Sequence, residues 1–382
     1  MNHHISFGVL IASLSMAACG SSTAPPLGTT SAAVTAASGG AGPGGSATSG
    51  STTGGAAQTT GTGTSGTGGG SMGSSSGGSS TGGPGFVSTL AGAGSSNDTC
   101  AAYQGDSSFS PLLLALDGAG NVYVTSDSLD EIADGGQLTN LGGFGNVAPN
   151  GLAVTAAGVT FYSETANFSD TTSIFMGKSA TPVTFPGPLC ADTGSDAGMA
   201  GIGSVNGIAV DSLGNVYVAD AECFTVRKIS PSGNISTLAG TAFAQGDKNG
   251  PGSMAEFSQL GAIAIDPSGN LYVVETDTNL VRKILPDGTT STVGGGAIEV
   301  GGLAADANGN VYFSSDQDNT IRKMDSSGLT TIAGNGTMGY MDGTLGPKGT
   351  AEFNTPGGIA VDGSGNIYVA DTANCYVRII HQ

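Results

Sequence analysis

One seven-residue phrase recurs five times along the chain: GNVYVTS at 120–126, GNVYVAD at 214–220, GNLYVVE at 269–275, GNVYFSS at 309–315 and GNIYVAD at 365–371. An aspartate stands shortly before each copy, at Asp117, Asp211, Asp266, Asp306 and Asp362, with gaps of 94, 55, 40 and 56 residues. The first gap holds two units, because NGLAVTAAGVTFYSE (150–164) is a decayed copy with Thr155 in place of the aspartate. Six units result, spaced 38, 56, 55, 40 and 56 residues apart, some carrying an insertion of about sixteen residues. Repetition at such periods means copies of one supersecondary unit, each needing its neighbours to bury its apolar surface.

The clearest unit, residues 206–240, contains four short apolar stretches, GIAV, NVYVA, FTVRKI and ISTLAG, separated by DSLGN, DAEC and SPSGN. Runs of this length, rich in Val, Ile and Tyr and bounded by Gly, Asp, Asn, Ser and Pro, predict strands joined by tight turns. VYVA is apolar on both faces, as a strand must be when neighbouring sheets cover both its sides. The last unit stops after its third stretch, CYVRII, and the missing fourth stands at the start of the repeat region as FVSTLAG (86–92). A first strand that completes the last sheet closes a ring and removes exposed edges. The expectation is an all-β, six-bladed β-propeller over 86–382, with the Asp, Gly and Asn of each unit serving the turn into its second strand.

The pattern GIAVDxxGNVYVADxxNxxVRKI, as it stands at 207–229 and 358–380, resembles the NHL repeat family, and the resemblance covers the whole of 86–382. The insertions GDKNGPGSMAEF (246–257) and YMDGTLGPKGTAEF (340–353) resemble that family's long inter-blade loop. The resemblance implies a binding platform, since members are mainly of that kind and a few related propellers are enzymes. The second unit departs most, having lost its Asp, its GN and its RK.

The N-terminal part is of another kind. No Asp, Glu, Lys or Arg occurs from Ile5 to Asn97, so the formal net charge of −19 belongs to the repeats. ISFGVLIASLSMAAC (5–19) is too short to span a bilayer and reads as the apolar run of a signal segment over 1–19. Its end, MAAC, resembles the lipobox of bacterial lipoproteins, which implies lipid attachment at Cys19; an ordinary secretory signal is the alternative. The expected location is the cell envelope, with Gly20 in place of a retention-type Asp pointing to the outer membrane. Residues 20–85 are Gly, Ser, Thr and Ala with a few Pro, a composition expected to form a disordered tether. A coil of that length spans about 40–50 Å. Seven of the ten basic residues (Arg227, Lys228, Arg282, Lys283, Arg322, Lys323 and Arg378) are dispersed over four units. With so acidic a balance and no basic patch, nucleic acid is excluded as a partner, and the membrane is reached through the lipid alone.

Four cysteines remain after Cys19, and the propeller topology selects a pairing. Cys223 and Cys375 fall in turns between second and third strands; Cys190 and Cys100 fall in long loops on the same face, the one entering the third blade and the other leaving the closing strand. The expected disulfides are Cys190–Cys223 and Cys100–Cys375.

Catalytic readings are narrow. The three histidines are His3, His4 and His381, two of them in the signal segment, so a His-ligated zinc centre, a Ser-His-Asp triad and His-dependent lyase chemistry are excluded. The second strand ends in an acid or Ser in every unit: Ser126, Glu164, Asp220, Glu275, Ser315 and Asp371. Such a ring on the long-loop face could bind Ca²⁺ or a cationic partner; alternatively each residue caps its own turn. Two functions follow. The first is a tethered, monomeric interaction platform for a protein or glycan, with no cofactor. Its candidate face combines Glu164, Asp220, Glu275 and Asp371 with the apolar loop residues Tyr103, Phe243, Met338, Tyr340 and Met341. The second is a calcium-dependent, lactonase-like hydrolase or a lyase, which requires acids converging near the propeller axis. No residue is singled out as catalytic.

Overall fold

The computed structural model describes residues 84–92, 111–133, 136–144, 149–165, 172–177, 190–192, 201–295 and 300–382, with the backbone of Ser95–Ser96, Thr99–Cys100 and Val183–Thr184. The signal segment with Cys19, the tether up to residue 83, Tyr103 and most of the long loop entering the third blade (187–204) lie outside the described residues.

Six antiparallel sheets make six blades of a β-propeller. Blades 1 to 5 occupy 114–143, 151–184, 205–239, 260–295 and 302–333, each with four strands in chain order. Blade 6 takes Pro356–Val361, Ile367–Asp371 and Tyr376–His381 from the C-terminus and Phe86–Gly92 from the N-terminus. Phe86 pairs with His381 and Gly92 with Tyr376, so the ring closes as the permuted strand pattern requires. The short strand Gly343–Thr344, from the long loop entering blade 6, pairs with Phe86 and Val87 on the outer side.

Packing follows from the apolar second strands. Val216–Asp220, Leu271–Glu275 and Val311–Ser315 are buried at every position. Six apolar clusters result, one in each gap between neighbouring blades; the gap between blades 3 and 4, for example, holds Tyr217, Ala219 and Val226 against Leu260, Ile263, Leu271 and Ile284. The first strand of each blade touches the first strand of the next, and that of blade 6 touches that of blade 1. The approach is close enough to dictate glycine: a Cβ on Gly207 would lie 3.0 Å from Gly261 O, and one on Gly358 would lie 2.5 Å from Leu114 N.

The repeated phrase folds into one repeated turn. Asp211 Oδ1 accepts the Leu213 and Asn215 amides, while Oδ2 accepts Asn215 Nδ2 at 2.7 Å and the Tyr217 hydroxyl at 3.1 Å. Gly214 supplies the positive φ of 80°. Asp117, Asp266, Asp306 and Asp362 make the same set. Burial alone would raise the Asp211 carboxyl, but the Asn215 side chain, the turn amides and Tyr217 outweigh it and hold the group below the usual range. Burial and the adjacent Asp211 push the Tyr217 hydroxyl up to about 12. The Lys of each RK pair covers this tyrosine: Lys228 lies over Tyr217, Lys283 over Tyr272 and Lys323 over Tyr312.

Candidate binding face

The Arg of each RK pair points the other way, into the blade. Arg227 lies opposite Val218, two residues from Asp220, so arginine and acid share one face of the sheet. Arg282 with Glu275 and Arg378 with Asp371 repeat the arrangement, and all six side chains have 0% exposure. Each guanidinium also reaches upward to a long loop. Arg378 Nη1 donates to Asp371 Oδ2 at 2.8 Å and to Glu352 O, and its Nη2 donates to Met341 O and to Asp342 Oδ1 at 2.7 Å. Arg282 binds Glu275, Glu256 O, Lys248 O and Asn249 Oδ1. Arg227 binds Gly201 O, Ala191 O and Asp192 Oδ1, with Asp220 at 3.9 Å. Phe257 and Phe353, the last residues of the two AEF triplets, lie under Arg282 and Arg378. A register shift between third and fourth strands falls at the arginine in blades 3 to 6, and a bulge there adds local twist.

The clamp is found in three of the four blades that a long loop enters; blade 1, entered by 21 residues, does not have it. Blades 3, 4 and 6 are entered by 20, 20 and 22 residues, and all three carry acid and arginine. Blade 5 is entered by six residues, has Ser315 in the acid position, and turns Arg322 to Asp318 and Thr320 instead. Blade 2 is entered by seven residues; Phe175 takes the arginine position and stacks on Tyr162 with ring centroids 4.8 Å apart. In blade 1, Asp130 takes that position and accepts hydrogen bonds from Ser126, Ser128 and Asn140.

Three of the four acids placed on the candidate face are therefore corrected. Asp220, Glu275 and Asp371 lie beneath the long loops but are wholly buried, and the counter-ion of each comes from its own blade. Burial pushes the Asp220 and Asp371 carboxyls up to about 6, against the lowering pull of the backbone amides and of Arg227 and Arg378. Capping is part of their work: Asp220 accepts the Cys223 amide, and Asp371 accepts Asn354 N and Asn374 Nδ2. Glu164, half-buried at the end of its strand, has its carboxyl raised by burial. The arginine partners went unrecognised in the sequence, although each stands seven residues after its acid (220 and 227, 275 and 282, 371 and 378).

The apolar loop residues are on the surface. Phe243, Met338, Tyr340 and Met341 are 61%, 65%, 68% and 54% exposed. Their loops are held firmly: the Phe243 amide donates to Cys223 O, Asn374 Nδ2 donates to Gly339 O, and Met341 O is one of the clamped carbonyls. Cys190 and Cys223 form a disulfide that fixes the blade 3 loop where blade 6 uses Asn374. Cys375 is also disulfide-bonded; the side chain of Cys100, its expected partner, lies outside the described residues.

Among the described residues no carboxylate lines the axis. A channel with about 170 Å³ of open space is lined by Ala, Val, Leu and Ile of all six first strands, among them Leu116, Val154, Val210, Ile265, Ala305 and Val361. Among the described residues no three Asp, Glu, His or Cys side chains gather as metal ligands. Among the described residues the axis does not carry the acids that the calcium-dependent hydrolase reading requires.

Comparison with known proteins agrees with this architecture. Residues 353–380 match the NHL repeat model. No curated protein sequence matches the chain. Among solved structures, an auxiliary nutrient binding protein from Bacteroides thetaiotaomicron is 17% identical with a TM-score of 0.56, over 77% of this chain and 75% of that one. One of the same description from Bacteroides ovatus is 16% identical with a TM-score of 0.53, over 77% and 76%. A protein of unknown function from Bacteroides thetaiotaomicron is 19% identical with a TM-score of 0.53, over 77% and 75%. At these identities the likeness is one of fold. The chain is a six-bladed β-propeller with an NHL repeat in its last blade.

Proposed function

We propose that this protein is an extracytoplasmic binding module that engages a protein or glycan of the cell envelope through its long-loop face. The observation that carries the reading is the contrast within that face. Its loops are fastened from below by buried Arg–acid clamps and a disulfide, yet they present Phe243, Met338, Tyr340 and Met341 to solvent. Large apolar groups on a rigid mount lose little entropy on binding. The description of two structural neighbours as auxiliary nutrient binding proteins supports a ligand-binding role. The disulfide supports an oxidising compartment. A lipid on Cys19 would hold the module at the envelope, with residues 20–85 giving it reach.

The test is capture of ligand from cell-envelope extract by the wild type and by the quadruple variant Phe243→Ser, Met338→Ser, Tyr340→Ser, Met341→Ser. Replacing the whole 335–350 loop would be a poor probe, because it also removes Asp342 from Arg378 Nη2. Loss of a specific ligand in a variant that melts like the wild type supports the reading. A wild type that captures nothing, or a variant that captures equally well, refutes it.

A further inference from the structure

Blade 5, which keeps the arginine without a long loop, reveals what the loops do for blades 3, 4 and 6. In blades 3, 4 and 6 the clamp arginine receives the same ligand from its covering loop. This is a main-chain carbonyl followed at once by an Asp or Asn side chain: Ala191–Asp192, Lys248–Asn249 and Met341–Asp342 on Nη2, with a second carbonyl, of Gly201, Glu256 or Glu352, on Nη1. Three different loop sequences thus dock an extended segment on one arginine position in the same way.

Blade 5 keeps the arginine and lacks both loop and acid. Arg322 is 20% exposed rather than fully buried. Its Nη2 is occupied by Asp318, four residues earlier in the adjoining turn, and its Nε donates to Thr320. Among the described residues Nη1 has no partner, whereas in the sibling blades that atom holds a loop carbonyl. Asp316 and Gln317, beside it, are exposed. The Lys323 next in sequence points to the other face of the strand, over Tyr312.

We propose that the uncovered end of blade 5 is a receptor for an extended polypeptide segment from a partner, seated as the chain's own loops are seated on blades 3, 4 and 6. Arg322 is its anchor, and Asp318 is the placeholder that occupies the anchor in the free protein. The segment presents a main-chain carbonyl followed by Asn or Asp. Asn suits best, since a protein of net charge −19 repels acidic partners. The proposal rests on the binding-module reading and names one partner chemistry for it.

The probe is a capped synthetic peptide with the sequence of residues 244–257, AQGDKNGPGSMAEF, titrated into the full chain and followed by NMR or fluorescence anisotropy. Saturable binding is expected. Arg322→Ala and Arg322→Lys should each weaken it at least tenfold, and Asp318→Ala should tighten it severalfold by freeing the anchor. Lys323→Ala, which removes the same charge from the opposite face, should leave it unchanged. A peptide with Ala for the residue corresponding to Asn249 should bind at least tenfold less. Absence of binding at millimolar peptide overturns the proposal. So does equal binding by the Arg322 variants, equal loss in Lys323→Ala, or weaker binding in Asp318→Ala. Binding of an acidic saccharide at Arg322 without the peptide would assign the site to glycans and overturn the polypeptide reading. The surface-quartet experiment is independent: ligand captured there and retained by Arg322→Ala counts against the blade 5 receptor while leaving the module reading standing.

Discussion

Replacing Arg378 with Met tests whether the long loops are held by buried charge. Arg378 and Asp371 are both fully buried and 2.8 Å apart. Two unit charges at that separation attract by about 6 kcal/mol at an effective dielectric of 20. Desolvation of both ions cancels most of this, so the pair's net worth is small. Removing only the guanidinium is another matter. Asp371 keeps Asn354 N and Asn374 Nδ2 but loses its counter-ion, while Glu352 O loses its donor and Met341 O keeps only the Glu352 amide. The expected cost is about 3–5 kcal/mol, or a fall in Tm of roughly 6–12 °C. Chemical denaturation at pH 7.5 measures it, and limited trypsin digestion follows the loop through the exposed Lys348. Cleavage there should accelerate in the variant. The cost should shrink at pH 5, where a carboxyl raised to about 6 is largely protonated and needs no counter-ion. The double variant Arg378→Met, Asp371→Leu should regain at least about 1 kcal/mol and still release the loop, because the guanidinium bonds to Glu352 O, Met341 O and Asp342 remain lost. A single variant that loses less than about 1 kcal/mol, or whose cost is the same at both pH values, would refute the reasoning.

The raised carboxyls of Asp220 and Asp371 set a pH dependence of opposite sign to ordinary acid unfolding. Between about pH 4 and pH 6 the folded chain binds more protons than the unfolded one, so stability should rise as pH falls through this window, by at most about 3 kcal/mol per group. Asp220→Asn should flatten the rise in urea melts between pH 7 and pH 4.5, and a profile that falls steadily on acidification would refute the assignment. Cys223→Ser opens a loop of sequence separation 33 and should cost roughly 3–4 kcal/mol by denaturation; a cost under about 1 kcal/mol would show that the blade 3 loop is held by Arg227 alone. A chain starting at residue 84 should fold with an unchanged melt, whereas one starting at residue 93 loses the closing strand with its buried Val87 and should aggregate on a sizing column.

The fold was legible because its determinants are local or periodic. GNVYVAD names its own turn through Asp, Gly and Asn within seven residues, and the misplaced FVSTLAG announces closure by its likeness to ISTLAG. The candidate face was legible only in part. Phe243, Met338, Tyr340 and Met341 stand out because they are apolar inside polar loops, and the surface is where they are found. Asp220, Glu275 and Asp371 misled for a physical reason. A charged residue at a strand end reads as solvated, and its burial depends on a partner in the next strand and on a loop folding over both. The spacing of seven to each arginine carried that information, but a dispersed set of RK pairs reads as surface charge until the register of the hairpin is known. Among the loop-bearing blades, Cys223 stands where blade 6 has Asn374, and no single unit discloses that a disulfide and a hydrogen bond do the same task.

That substitution bears on where specificity resides. The clamps of blades 3, 4 and 6 use main-chain carbonyls and one Asx side chain, so they fix a loop's path while leaving its other side chains free to vary. Where the loop is short, the clamp decays differently each time: to an aromatic stack in blade 2 and to a local ion pair in blade 5. In blades 3, 4 and 6 the acid, the arginine and the loop therefore behave as one unit of mounting, whereas blade 1 has a long entering loop and Asp130 in the arginine position. The repeated residues build the mount and the turn; the unrepeated loop tips are what a ligand would meet. In this chain a substitution in the repeated motif should act on stability, and one at Phe243, Tyr340 or the methionines should act on binding with stability unchanged to within about 0.5 kcal/mol. A tip substitution that destabilised as much as Arg378→Met would break this division, because the tips would then be pinning the loops rather than being carried by them.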